Sequence, residues 1–263
     1  MSAPPEHRAV APKPLRIGPA DPAVRVLAFH HAGGSAAAFL PLLSQLPADC
    51  ELVLLELPDR AGKLELPPTD FEDALRGLQA RAHPLVDRPT VVLGHSLGAL
   101  FAHSVTASLP ARQQRFVRGL VLSASPFAPQ DGISPERRPD APFARRTEAQ
   151  LIADLRLFGG SPDSLFDDPG RLSAAVRLLG LDMHLTDTYP GGPDLPVPHH
   201  LWYGDEDPTH VPGVLSRSAD SAARAGARAE IRAFPGGHFF LFTGQEPAAE
   251  LGRIAAAAAL PAR

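Results

Sequence analysis

Cysteine occurs once in the 263 residues, at Cys50. One thiol excludes an intrachain disulfide framework and a zinc site built on cysteine pairs, and it leads us to expect a reducing, cytoplasmic setting. No run approaches the ~20 apolar residues needed to cross a bilayer. The opening segment MSAPPEHRAVAPKP has no apolar stretch of the kind a secretory signal requires. Positive charge is not in surplus either: 25 Lys and Arg stand against 29 Asp and Glu, a formal net charge of −4, without long basic runs. That balance argues against nucleic acid or an anionic membrane as the main partner. Neither a Gly-x-Gly-x-x-Gly fingerprint nor a Walker lysine follows a glycine turn, so nucleotide binding has no support.

What is present suits one globular α/β domain. Apolar residues make up 44 % and charged residues 21 % of the chain, enough for a sizeable core. Residues 1–20, rich in proline and alanine, are expected to be a flexible leader, and residues 21–263 the folded domain. From Val24 onward, short apolar runs alternate with amphipathic ones. VRVLAF (24–29), ELVLLEL (51–57), TVVLG (90–94), FVRGLVLSAS (116–125), VPHHLWYG (197–204) and RAEIRAF (228–234) read as strands. Helical spacing marks 36–46, then 69–83 behind a Thr69 or Asp70 cap, 97–109, and the alanine-rich 246–260. This alternation predicts a mostly parallel sheet with helices on both faces, binding its ligand at the carboxyl ends of the strands. The order breaks between about 126 and 196, where a proline-rich loop and two or three helical stretches carry no strand pattern. That segment is expected to be a helical lid insertion.

At the exit of the third run the chain reads VLGHSLG (92–98), a serine between two glycines where neither strand nor helix favours glycine. The pattern fits a nucleophile elbow, in which side chains at the glycine positions would collide with the turning backbone. A serine hydroxyl needs a positioned base, and the base an orienting acid. In α/β-hydrolases these follow in the order Ser, acid, His. Downstream of Ser96, the acid candidates are Asp205, Glu206 and Asp207 in GDEDP, just past a predicted strand. Asp207, three residues beyond Gly204 and next to Pro208, is preferred, with Asp205 next. The base candidate is His238 in PGGHFFL, past the last predicted strand. Acyl transfer also needs oxyanion donors. The backbone N–H of Leu97, after the nucleophile, is one, and Ala32 in the FHHAGGS loop is the candidate for the other.

The remaining histidines invite a metal reading that the spacing does not support. His30-His31 and His199-His200 are adjacent pairs whose side chains point to opposite faces, a poor chelate, so no metal site is expected. His31 is expected at the pocket mouth and His30, His199 and His200 in structural roles. Cys50 is expected to be a small core residue.

Six stretches together resemble the type II thioesterases, stand-alone α/β-hydrolases that accompany modular polyketide synthases and nonribosomal peptide synthetases. They are FHHAGGSAAAF (29–39), LPDRAGKLELPP (57–68), LGHSLGALFAH (93–103), LRLFGGSPDSLFDDPG (155–170), LWYGDEDP (201–208) and FPGGHFFL (234–241). The resemblance runs from about Val24 to Leu260 and implies an α/β-hydrolase fold with Ser96, Asp207 and His238 as triad and Ala32 and Leu97 as oxyanion donors. It also implies hydrolysis of acyl groups from the phosphopantetheine arm of an acyl or peptidyl carrier protein, without a further cofactor. The sequence departs from that pattern at His30, where the family has proline, at Pro58-Asp59-Arg60, where it has Pro-Gly-Arg, and in SASPFAP (123–129). These departures bear on substrate preference and partner surface. A chain-releasing thioesterase or a carboxylesterase would use the same triad. A non-catalytic relative would be expected to lack one of its members.

Overall fold

The computed structural model describes residues 13–57 and 67–260. Seven strands form one sheet: β1 (Leu15–Ile17), β2 (Val24–Phe29), β3 (Cys50–Leu55), β4 (Thr90–His95), β5 (Val117–Ser123), β6 (His199–Gly204) and β7 (Ala229–Phe234). The spatial order is β1-β3-β2-β4-β5-β6-β7, parallel throughout except for β1, which pairs antiparallel with β3. β2 and β4, the innermost strands in sequence logic, are buried at every position, as a sheet covered on both faces requires.

Alternation along the strands divides the core in two. Leu27, Phe29, Val53, Leu55 and Val92 face α1 (Phe71–Ala82) and α2 (Leu97–Ser108). Val26, Ala28, Leu52, Leu54, Val91 and Leu93 face the opposite layer, formed by a 3-10 segment over Ala36–Gln45 and the carboxyl-terminal helix. The period of two in the sequence thus becomes two separate apolar layers. The intervening helices are α3 (Ala111–Gln114), α4 (Glu148–Phe158), α5 (Pro169–Asp187), α6 (Val214–Arg224), α7 (Phe240–Thr243) and α8 (Gln245–Ala259). Asp70 caps α1, accepting from the Asp73 N–H at 2.8 Å.

One expectation changes. Residues 1–12 of the expected leader lie outside the described residues, but Leu15–Ile17 is a sheet strand rather than leader, with Arg16 paired to Glu51 at 2.7 Å. The helix expected near 36–46 is present over Ala36–Gln45 as a 3-10 helix with Pro41 inside it; proline removes a donor and crowds the preceding turn. The insertion at 126–196 holds α4 and α5 and, among its described residues, no strand. Its residues divide between two packing environments. Leu151, Val176 and Leu179 form a small cluster of their own, while Leu185, Tyr189 and Leu195 belong to the main core. Thr188 Oγ1 accepts the Phe71 N–H at 2.9 Å, fastening the far end of α5 to α1. No helix among the described residues is long and apolar enough to cross a membrane.

Candidate active site

β4 ends at His95 and α2 begins at Leu97, leaving Ser96 alone in the turn with φ 55° and ψ −122°. A Cβ on Gly94 would lie 2.1 Å from the Gly98 carbonyl oxygen, and one on Gly98 would lie 2.0 Å from the carbonyl oxygen of Phe29. Both contacts are with backbone, which cannot swing aside. The two glycines therefore exist for close approach: the strand presses on the first helical turn, and that turn presses on the end of β2. A strained φ at Ser96 places its side chain above the sheet rather than along it. The Ser96 N–H donates to the Ser123 carbonyl at 2.8 Å, tying the turn to β5.

The loops after β6 and β7 meet beside this turn. His238 Nδ1 donates to Asp207 Oδ2 at 2.8 Å, and both residues are buried. Asp207 Oδ1 in turn accepts from the Thr209 N–H at 2.9 Å and from Thr209 Oγ1 at 2.7 Å. Burial alone would raise the Asp207 carboxyl, but the hydrogen bond and charge of His238 and the two bonds from Thr209 outweigh it and hold it below the usual range. Asp205 and Glu206 are exposed. Asp205 accepts the Gly236 N–H at 3.0 Å, bracing the loop that carries His238 without touching its ring. Thr209 was not singled out by sequence; a threonine two residues beyond an acid carries no pattern that distinguishes it from any turn threonine.

With Nδ1 engaged, Nε2 is the ring nitrogen that remains for Ser96. Ser96 and His238 line one cavity of about 100 Å³, together with Ala32, His31, Phe158, Met183, Thr186 and Thr209. His31 therefore stands at the pocket, as its position in the glycine loop suggests. Of the apolar residues of α4, Phe158 reaches the cavity. Leu151 and Leu155 pack inside the lid's own cluster and Leu157 is 54 % exposed. Residues 151, 155 and 158 share one helical stripe, whereas Leu157 lies off it. Neither the Leu97 N–H, at the first position of α2, nor the Ala32 N–H is hydrogen-bonded to another described residue. The cavity thus brings the Ser96 hydroxyl, the His238 imidazole hydrogen-bonded to Asp207, and the Ala32 loop together.

The other histidines are held by local contacts. His30 is fully buried in a hydrogen-bonded position, and His199 Nδ1 donates to the Val197 carbonyl at 2.7 Å. His200 lies 3.7 Å from Glu230. Burial lowers the pKa of His95, His199 and His200 below the ordinary imidazole value. Cys50 is buried, and desolvation pushes its thiol up to about 12, which leaves it inert. Pro58-Asp59-Arg60 lies outside the described residues.

The thioesterase domain family model matches residues 24–256. Among curated proteins, the chain is 31 % identical over 234 residues to the AMB antimetabolite synthetase AmbE of Pseudomonas aeruginosa, a match covering 88 % of this chain and 10 % of that one. It is 29 % identical over 227 residues to a probable cadicidin biosynthesis thioesterase of Streptomyces griseus, covering 83 % of this chain and 58 % of the other. The chain thus spans a tenth and somewhat over half of the lengths of these two relatives. The fold is that of RedJ, a thioesterase from the prodiginine biosynthetic pathway in Streptomyces coelicolor, with TM-score 0.73 and 24 % identity over 95 % of this chain and 96 % of that one.

Proposed function

The chain belongs to the thioesterase domain family, and from that premise we propose that it is a serine thioesterase acting on acyl groups carried on the phosphopantetheine arm of an acyl or peptidyl carrier protein. The observation that carries the reading is the shared cavity: Ser96 and His238 line it together, and Asp207 holds the Nδ1 edge of the imidazole at 2.8 Å.

In the first half-reaction His238 Nε2 takes the proton from Ser96 Oγ as the oxygen attacks the thioester carbonyl. The oxyanion is held by the N–H groups of Leu97 and Ala32, each such donor contributing about 3 kcal/mol to the transition state. Collapse breaks the C–S bond, and the imidazolium returns its proton to the departing pantetheine thiol. Water then attacks the acyl-serine with His238 again as base, releasing the carboxylic acid and restoring Ser96. Asp207 stabilises the imidazolium in both steps and stays ionised, in keeping with its lowered pKa. Side chains and backbone amides supply the whole sequence; phosphopantetheine enters as part of the substrate. The apolar rings of Phe158 and Phe239 and the Met183 thioether suit an acyl chain rather than a polar head.

The reading places the enzyme in polyketide or nonribosomal peptide biosynthesis, editing or releasing carrier-bound chains in a reducing cytoplasm. The biosynthetic relatives support the setting, and the buried lone cysteine suits the compartment. The match to one part of the AmbE synthetase favours a second reading, release of a finished chain on the same triad. Hydrolysis of acyl-N-acetylcysteamine and p-nitrophenyl esters of matched chain length, beside a panel of acyl-loaded carrier proteins, tests both. A thioester preference with activity on several loaded carriers is expected; preference for the simple ester, or for one mature product alone, would favour esterase or release chemistry.

A further inference from the structure

We infer that His30 is a positioning residue of this site: its ring holds the peptide between His31 and Ala32 so that the Ala32 N–H is presented to the cavity as an oxyanion donor. The inference rests on the serine-thioesterase reading above and deepens it.

His30 is the first residue after β2, and 0 % of its surface is exposed. At Nε2 the ring meets the Leu57 N–H and, at 3.3 Å, Glu56 Oε1, and at Nδ1 it meets the His31 carbonyl; the backbone partners indicate which nitrogen carries the proton. The Leu57 N–H donates to Nε2 at 3.0 Å, so Nε2 presents a lone pair. Nδ1 lies 2.8 Å from the His31 carbonyl oxygen, which can only accept, so Nδ1 carries the hydrogen and donates. The same carbonyl accepts the Gly34 N–H at 3.3 Å. In a trans peptide the C=O and the following N–H point to opposite sides. Turning the His31 carbonyl toward the His30 ring and Gly34 therefore turns the Ala32 N–H away from them.

The next amide after Ala32 is also held. Gly33, at φ 71°, donates its N–H to Asp182 Oδ2 of α5 at 2.6 Å. The Ala32 N–H has no hydrogen bond to another described residue, and Ala32 lines the cavity with Ser96 and His238. Proximity to the nucleophile comes from the backbone: the Phe29 and His30 carbonyls lie so close to Gly98 that a Cβ there would sit 2.0 and 2.7 Å from their oxygens. The loop leaving β2 is thus seated on the first turn of α2, whose leading amide is that of Leu97. Proline, the residue of the family pattern at this position, has no ring donor or acceptor for either contact. The second contact also ties the ring to Leu57, so it braces the loop leaving β2 against the one leaving β3.

Two substitutions separate the two ring contacts. In His30→Asn the amide nitrogen falls near the place of Nδ1 and can still donate to the His31 carbonyl, while Leu57 loses its acceptor. In His30→Gln the amide reaches the place of Nε2 and can still serve Leu57, while the His31 carbonyl loses its donor. With an acyl-N-acetylcysteamine substrate, His30→Gln is expected to lose on the order of tenfold or more in kcat with KM within about twofold. Its affinity for a trifluoromethyl ketone that forms a tetrahedral adduct should fall by a similar factor. His30→Asn is expected to keep kcat within about threefold yet have the lower Tm, because it leaves a buried amide unpaired. Opposite rankings in kcat and Tm are the signature; a purely structural histidine would make activity follow Tm in both variants, and that result overturns the inference. A second readout uses the unaltered protein: long-range proton–nitrogen NMR should show His30 as the Nδ1–H tautomer, and an Nε2–H tautomer would refute the assignment even if neither variant folds. Ser96→Ala, run alongside, keeps the two levels apart. Retained activity there defeats the serine-thioesterase reading itself, whereas an inactive Ser96→Ala beside a fully active, folded His30→Gln defeats only the role of His30.

Discussion

The ring of Phe158 lies against the imidazole of His238, with centroids 5.2 Å apart and planes inclined by 30°. Phe158 ends α4 and is followed by Gly159 and Gly160, at φ 73° and 76°. A Cβ on Gly160 would lie 2.4 Å from the Phe239 ring, so the lid turn is seated on the aromatic neighbour of the base. α4 thereby reaches the His238 imidazole through Phe158, which covers its face while Asp207 holds its edge.

Removing that ring should lengthen the cavity more than it weakens the fold. Phe158→Ala is expected to raise the ratio of long-chain to short-chain kcat/KM by about tenfold. Because Phe158 is half-buried, the stability cost should stay below the ~3–5 kcal/mol of a fully buried phenylalanine. A panel of acyl-N-acetylcysteamines, with urea unfolding of the same samples, measures both. An unchanged chain-length profile would mean that the acyl chain runs elsewhere.

The acid loop offers a direct comparison. Asp207→Asn is expected to lower kcat by roughly 10⁴, since the imidazolium loses its counter-charge and the ring its tautomer. Asp205→Asn should keep most activity, because a carboxamide oxygen can still accept the Gly236 N–H. Equal losses in the two variants would remove Asp207 from its assigned role.

Thr209 makes a claim about pH. Asp207 has a folded-state pKa below its unfolded value of ~3.9, so its ionisation stabilises the fold fully above that value. The contribution is lost as pH falls through the depressed folded-state pKa. Thr209→Val removes the hydroxyl bond at 2.7 Å but keeps the N–H bond at 2.9 Å, which moves the folded-state pKa back toward the ordinary value. The acid-unfolding midpoint followed by circular dichroism should therefore rise in pH, while stability at neutral pH drops by about 1 kcal/mol. A midpoint that does not move would show that Thr209 contributes nothing to the acid's ionisation.

At the elbow the constraint is steric. Gly98→Ala places a methyl 2.0 Å from the Phe29 carbonyl oxygen, and neither backbone segment can yield without moving the sheet. A loss of about 3 kcal/mol or more, or failure to fold, is expected. Gly77→Ala on α1, where the added methyl meets nothing within 4 Å, should instead stabilise by up to about 1 kcal/mol. Chemical denaturation of the pair checks the contrast.

The parts of this molecule that could be read from sequence are those whose cause is local. Strands such as 24–29 and 90–94 declare themselves because both faces of the sheet are covered, which forces continuous apolar runs. The glycines at 94 and 98 declare the elbow because close backbone contact admits no other residue. The parts that could not be read depend on distant partners. β1 is three residues in a proline-rich stretch, and pairing with β3 is what makes it a strand. The far half of α5 buries Asp182, His184, Thr186 and Asp187, which looks like a solvated face until its partners are known. Asp182 meets Gly33 across 149 residues and Thr188 meets Phe71 across 117. For the same reason, the His30 ring looks like a departure from a pattern until Leu57 and the His31 carbonyl appear on its two nitrogens.

The central claim is that Ser96 carries the acyl group between thioester and water, and trapping that adduct tests it most directly. The protein should be mixed with an acyl-phosphopantetheine-loaded carrier, quenched in acid within the first turnover, digested, and the peptide spanning 90–108 analysed by mass spectrometry. The account expects the acyl mass on Ser96, with no adduct and a rate lower by on the order of 10³ or more for Ser96→Ala. An acyl group found on another residue, or undiminished carrier hydrolysis by Ser96→Ala, would contradict it.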